Sequence, residues 1–381
     1  VTAAASRRRS RPLDVDRLLD DTSVRIVVCC GSGGVGKTTT AAALALRAAE
    51  RGRRAVVLTI DPARRLAQSM GLSELDNVPR EVAGVEGDGT LDAMMLDMKR
   101  TFDEVVLAHS APDKAAAVLD NPFYQALSTS FAGTQEYMAM EKLGQLRALD
   151  QWDLIVVDTP PSRSALDFLD APARLGSFLD GRLIRVLTAP ARAGGRAGLR
   201  VMQLGVSMLT NALTKVLGGQ LLTDVQTFVG ALDSMFGGFR ERAEQTYALL
   251  QADETVFVVV AAPEADALRE ASYFVERLAG DGMPLGGLVL NRVHTSEVEG
   301  LTAEQSVAAA ERLGSPEYAL ARGALQLHAE RMRVIERERR LAGRFSTAHP
   351  SVAVVEVPAF PTDVHDLAGL RAVGGALAAS V

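Results

Sequence analysis

Residues 25–45 read RIVVCCGSGGVGKTTTAAALA, and no other stretch restricts the fold of this chain so tightly. An apolar run enters a glycine-rich turn, and an alanine-rich run of helical character leaves it. Gly31, Gly36, Lys37 and Thr38 satisfy the pattern G-x-x-x-x-G-K-[ST] at every required position. Glycines at such places let successive backbone N–H groups turn inward without Cβ clashes, making a cradle for phosphate. The N-terminus of the following helix adds partial positive charge at the same point. Gly33, Gly34, Val35, Gly36, Lys37, Thr38 and Thr39 are therefore the expected nucleotide-binding residues. Lys37 is expected to reach the β- and γ-phosphates, and the Thr38 hydroxyl to ligate Mg²⁺.

A loop of this kind joins a buried parallel strand to its crossover helix. Short Val/Ile/Leu-rich runs without alternation mark further strands covered on both faces. They fall at 24–30, 54–61, 91–97, 152–158, 255–262, 286–292 and 351–358. Helical patterns between them give an α/β fold of the P-loop NTPase type, a mostly parallel twisted sheet with helices on both faces. Two gaps, 99–150 and 163–252, show helical periodicity and no good strand; they are expected to be insertions that build one helical subdomain. Within the second, 199–222 is uncharged from Val201 to Thr214 and rich in Leu, Met and Val. It reads either as a buried bundle helix or as a groove or lid for an apolar client. Residues 328–345 interleave Arg and Glu, the spacing of a salt-bridged, solvated helix face. Residues 1–21 carry SRRRSRP and are expected to be a basic, solvated tail ahead of an ATPase domain over 22–381.

Two carboxylates end strands next to this loop in the expected sheet. Four apolar residues lead into Asp158 in LIVVDTPPS, a Walker-B arrangement that holds the Mg²⁺ shell. Asp61 closes the second strand in TIDPARR, in position to orient an attacking water; Lys37 and Asp61 are thus the expected catalytic residues. The strand ending LNRVH has Asn291, but His294 stands where a guanine-reading aspartate belongs, so the expected nucleotide is ATP.

The formal net charge of -6 gives no general pull towards nucleic acid, and none is expected as a partner. No apolar segment follows the N-terminal arginines, and no run is long enough for a membrane-spanning helix. The 2 cysteines, Cys29 and Cys30, are neighbours on a strand and point to opposite faces, so no disulfide is expected. These points make the cytoplasm the expected location, with peripheral membrane association left open. The 5 histidines show no metal-ligand spacing, and no zinc is expected.

GSGGVGKTT, TIDPA, VVDTPPSRSALDFL, LVLNR and PAFPTDV together resemble the ArsA/Get family of deviant-Walker ATPases, and most closely its actinobacterial branch. The likeness covers roughly residues 22–370. It implies a dimer that closes around ATP and opens after hydrolysis, driving a helical subdomain that handles a hydrophobic or membrane-protein client. It implies that Asp61 belongs to switch I, that Asp158 to Leu169 is switch II, and that Asn291, Pro358 and Phe360 hold the adenine. Three departures stand out. Switch II reads DTPPSRSA, with Pro160, Arg163 and Ser164 in altered places, and no cysteine follows Cys30 to bridge zinc or bind arsenite. Ser32 occupies the place where relatives carry a lysine that acts across the dimer, which implies pairing with a lysine-bearing paralogue. The alternatives are self-association, a weakly active regulatory ATP-binding subunit, and a metalloid or anion pump subunit.

Overall fold

The apolar runs of the sequence become one sheet in the computed structural model. It describes residues 11–61, 65–121, 124–125, 134–160, 241–298 and 300–379. Eight strands line up in the order β3-β4-β2-β5-β1-β6-β7-β8. They are β1 (Ile26–Cys30), β2 (Arg54–Thr59), β3 (Arg80–Glu81), β4 (Thr90–Met95), β5 (Leu154–Asp158), β6 (Thr255–Ala261), β7 (Leu285–Val293) and β8 (Val354–Pro358). Every pairing is parallel except β3 with β4. Seven strands coincide with the seven apolar runs. β3 was not among them, because two exposed, charged residues carry no hydrophobic signal.

The helices are α1 (Val15–Asp20), α2 (Lys37–Glu50), α3 (Arg65–Ser69), α4 (Met98–His109), α5 (Pro112–Leu119) and α6 (Thr134–Leu149). Beyond β5 come α7 (Ala265–Gly280), α8 (Ala303–Arg312), α9 (Ala319–Ala348) and α10 (Leu367–Ala378). Residues 241–251 form a further helix. The alanines of α2 let it lie close on the sheet; Ala41, Ala42, Ala43, Ala45, Ala48 and Ala49 are all buried.

The solvated tail expected over 1–21 is corrected from residue 12 onwards. Pro12 bridges to Val354 of β8, and Leu13, Val15 and Leu19 are buried in the main core. Asp14 caps α1 by accepting from the Arg17 N–H, and Arg47 grips Asp16 through two bonds of 2.6 and 2.7 Å. Basic residues upstream obscured a short amphipathic helix whose carboxylates meet the arginines of α2.

The interleaved charges of α9 do form a solvated face, and the correction concerns only their pairing. Arg333, Arg337, Arg340 and Arg344 lie along one exposed face, where Arg333 acts through charge on Glu304 of α8. Glu338, on the opposite side of the helix, is buried and bonded to His294 instead.

The chain separates into two compact units. The first holds the sheet and comprises the described residues among 1–95, 150–165 and 250–381. The second comprises those among 96–149 and 166–249 and is helical where described. Its interior contains Glu141, whose carboxylate accepts from Arg242 Nε at 3.1 and 3.0 Å and from the Tyr137 hydroxyl at 3.3 Å. The Glu141 side chain is only 4% exposed, so removal of the guanidinium would strand a buried charge. Arg242→Met is expected to destabilise this unit by about 3 kcal/mol, read as a lower urea midpoint for its unfolding. An unchanged midpoint would show that the pair holds nothing together. The apolar stretch 199–222 and residues 161–169 of switch II lie outside the described residues.

Candidate functional site

Three parallel strands end in one row. Thr59 of β2 stands in register with Asp158 of β5, and Asp158 with Cys29 of β1. The chain leaves β1 through Gly31, whose φ is +150°. A Cβ there would fall 2.1 Å from the Val260 carbonyl oxygen of β6, so no side chain fits where the loop departs from the sheet. α2 then begins at Lys37. Asp97, Thr302 and Asp366 cap α4, α8 and α10, but no side chain caps the first turn of α2, and that turn contains no acidic residue. The amides of Lys37, Thr38 and Thr39 thus face no competing side-chain oxygen, the condition for an anion at a helix N-terminus.

Lys37 is buried, and its ammonium donates to the Ser32 carbonyl at 2.9 Å. Burial lowers its pKa, with Asp158 and, more weakly, Asp61 opposing that change. Asp158 is 0% exposed. Its Oδ2 accepts from the Thr38 hydroxyl at 2.8 Å and from the Thr59 hydroxyl at 2.9 Å. Its Oδ1 is shut off from solvent and has no hydrogen-bond partner in the described structure. Burial pushes this carboxyl up to about 6, although both hydroxyls and Lys37 act in the opposite direction.

A buried carboxylate oxygen without a partner, beside a threonine hydroxyl, is a set of hard oxygen donors suited to Mg²⁺. The site therefore fits the metal, with Thr38 and Asp158 as the residues to hold it. Asp61 lies just beyond β2, its N–H directed to the Thr59 hydroxyl at 3.2 Å. Thr59 and Thr159 escaped the sequence reading. Thr159 donates to the Cys29 carbonyl at 2.8 Å and ties the end of β5 to β1. The available signal was a hydroxyl at the end of a buried apolar strand, where it requires a partner.

On the other side of the loop, β7 delivers Asn291. Its amide Nδ2 donates to the Val35 carbonyl at 2.8 Å, and its Oδ1 accepts from the Arg292 N–H at 3.0 Å. The Ala359 N–H donates to the Val293 carbonyl at 2.9 Å, which sets Pro358 and Phe360 next to the end of β7. Phe360 is partly buried against the main core. The His294 ring is held by Glu338 at 2.7 Å. Cys29 and Cys30 are buried and free, and burial pushes the Cys30 thiol up to about 12, so neither is available as a thiolate.

This geometry agrees with the comparison to known families. The family model of the anion-transporting ATPases matches residues 24–309, about three quarters of the chain. The chain belongs to the anion-transporting ATPase family. It is an ATPase, with the phosphate loop and both strand-end carboxylates inside the matched segment. Among similar proteins, ATPase GET3 of Malassezia globosa is 30% identical over 170 residues, which are 45% of this chain and 49% of that relative. That match spans about half of the relative's length. ATPase GET3 of Ajellomyces dermatitidis and that of Blastomyces gilchristii are each 26% identical over 297 residues, covering 77% of this chain and 80% of the relative. No helix among the described residues is long and apolar enough to cross a membrane.

Proposed function

We propose that this anion-transporting-type ATPase is an ATP-driven dimeric switch. In this reading, ATP binding and hydrolysis are coupled to handling of a hydrophobic client, a membrane protein or a transporter partner. The observation that carries the reading is Asp158, buried beside Lys37 with one oxygen bonded to Thr38 and Thr59 and the other unpartnered. Such a carboxylate is expensive to bury, and a divalent cation brought in with a nucleotide's phosphates is what would compensate it. Mg²⁺, when bound there, would neutralise charge on the phosphates. Lys37 and the α2 amides would hold the triphosphate, and Asp61 would orient the water. Asn291, Pro358 and Phe360 would lie against the adenine. The dimer would form without zinc, since no cysteine pair exists outside β1. The partner subunit would be a lysine-bearing paralogue, and the pair would work in the cytoplasm or at the membrane surface.

The test is the role of Asp61. Asp61→Asn is expected to leave ATP affinity within about tenfold and to reduce turnover far more. Calorimetric titration with Mg·ATP and a phosphate-release assay on the same sample separate the two effects. Loss of ATP binding in the variant would remove Asp61 from the hydrolytic role. The altered switch II supports a second reading, a regulatory subunit that binds ATP and turns over slowly. A wild-type protein that binds ATP normally yet hydrolyses it at a background rate, with or without any partner, would favour it.

A further inference from the structure

We propose that Asn291 is a positioning residue for the phosphate loop, holding Val35 and Gly36 in the conformation that receives phosphates, whatever base the nucleotide carries. The proposal rests on the ATP-binding reading of the loop and differs from the adenine contact that family likeness gives to Asn291. In the sheet, β7 lies two places from β1, yet Asn291 reaches past the end of β6 and is 9% exposed.

Both ends of its amide are committed. The Arg292 N–H fixes Oδ1 at 3.0 Å, which sets the orientation of the group, and Nδ2 is thereby turned onto the Val35 carbonyl at 2.8 Å. Arg292 has φ +63°, a left-handed conformation that non-glycine residues seldom adopt. The turn in the chain and the bond to Oδ1 occur at the same peptide. Contact with the loop is tight: a Cβ placed on Gly36 would lie 2.2 Å from Asn291 Nδ2.

A loop of this composition needs such a hold. Gly34 and Gly36 have φ of +77° and +96°, and glycine has more backbone conformations open to it than any other residue. Val35, between them, is 4% exposed, and its carbonyl is the point at which Asn291 attaches. Without that bond the free loop would distribute over several conformations. Only those with convergent N–H groups bind phosphate, and apparent affinity falls in proportion to their population. A residue that only touched the base would leave binding of a bare polyphosphate unchanged.

The two roles separate by ligand. Wild-type protein, Asn291→Ala and Asn291→Asp would be titrated with Mg·ATP, Mg·GTP and inorganic tripolyphosphate, and melting temperatures recorded without ligand. Asn291→Asp keeps the shape of the side chain but offers the Val35 carbonyl no N–H. If Asn291→Ala folds poorly, Asn291→Asp decides. The expected result is a loss of about tenfold for all three ligands, by similar factors, which corresponds to a free-protein loop that is competent roughly a tenth of the time. Backbone amides of Val35 to Lys37 should also exchange faster with solvent deuterium in both variants. Reduced ATP affinity with wild-type affinity for tripolyphosphate would overturn the proposal, as would undiminished binding of all three. A wild-type protein that binds tripolyphosphate but not ATP would sink the ATP reading alone, and the tripolyphosphate comparison would still decide the role of Asn291.

Discussion

Asp158→Asn is expected to reduce ATP turnover by at least about a hundredfold, the scale seen when one preorganised electrostatic contact is removed. At pH 7.5 it is also expected to raise the melting temperature of the nucleotide-free protein. Both effects follow from one buried oxygen. In the free protein burial penalises the charged form and pushes this carboxyl up to about 6, well above the usual carboxylate range. The folded state therefore holds this proton more tightly than the unfolded chain. Stability of the free protein should rise as pH falls through about 6 and level off below the unfolded value. At pH 7.5 the charged carboxylate destabilises the fold by roughly 3 kcal/mol, at 1.36 kcal/mol per unit of pKa. Asparagine keeps an acceptor for Thr38 and Thr59 and removes the charge. The melting temperature should increase by roughly 5 °C at pH 7.5, and the difference should shrink as the pH approaches 4. With saturating Mg·ATP the order should reverse, since only the wild type gains the full stabilisation from the ligand. Scanning calorimetry of both proteins at several pH values, with and without Mg·ATP, reads all of this. A variant less stable than the wild type by the same amount at every pH would show that Asp158 is a structural residue.

What the sequence revealed and what it concealed divide along a physical line. The phosphate loop was legible because its chemistry is local: Gly31, Gly36, Lys37 and Thr38 are close along the chain, and their types follow from what phosphate requires. Seven strands were legible because each is an apolar run, and β1 and β5 at the centre are buried throughout. The bonds from Thr59 to Asp158 and from Asn291 to Val35 depend on the order of strands in the sheet. That order is a tertiary outcome, and no periodicity encodes it. α1 was missed because the arginines upstream dominated the local composition, although Asp14 and the Val15–Leu19 spacing carried a cap and a buried stripe. The charges of α9 misled for a related reason. Spacing along a helix shows which residues could pair, whereas Glu338 was drawn to His294 from another element.

Ser32→Lys is expected to accelerate turnover of the isolated protein by about a thousandfold if this chain works as a dimer with trans-acting lysines. In relatives that the phosphate loop resembles, a lysine at this position reaches the nucleotide of the other subunit, much as an arginine finger does. A unit charge about 4 Å from the phosphates, at an effective dielectric near 20, contributes roughly 4 kcal/mol. At ~1.4 kcal/mol per decade that is about a thousandfold, the low end of the range for such fingers. Ser32 offers a hydroxyl and no charge. Its carbonyl already serves Lys37 at 2.9 Å, so the backbone here is part of the loop whatever side chain it carries. The position is partly exposed and its φ is not positive, so a lysine fits without strain and its ammonium is free to leave the subunit. A homodimer of this chain would lack both trans lysines and should hydrolyse ATP slowly. In a heterodimer with a lysine-bearing paralogue, the intact loop of this chain would receive the partner's lysine, while the partner's nucleotide would meet only Ser32. One strong site and one weak site would result, the strong one built on Lys37 and Asp158 of this chain. Turnover would be measured for the protein alone, for Ser32→Lys across a range of protein concentrations, and for the mixture with the paralogue. Acceleration should depend on concentration in the second case, because the lysine acts only between subunits. If the protein alone is already a fast ATPase and neither change increases its rate, the lysine is dispensable here and Ser32 marks no asymmetry.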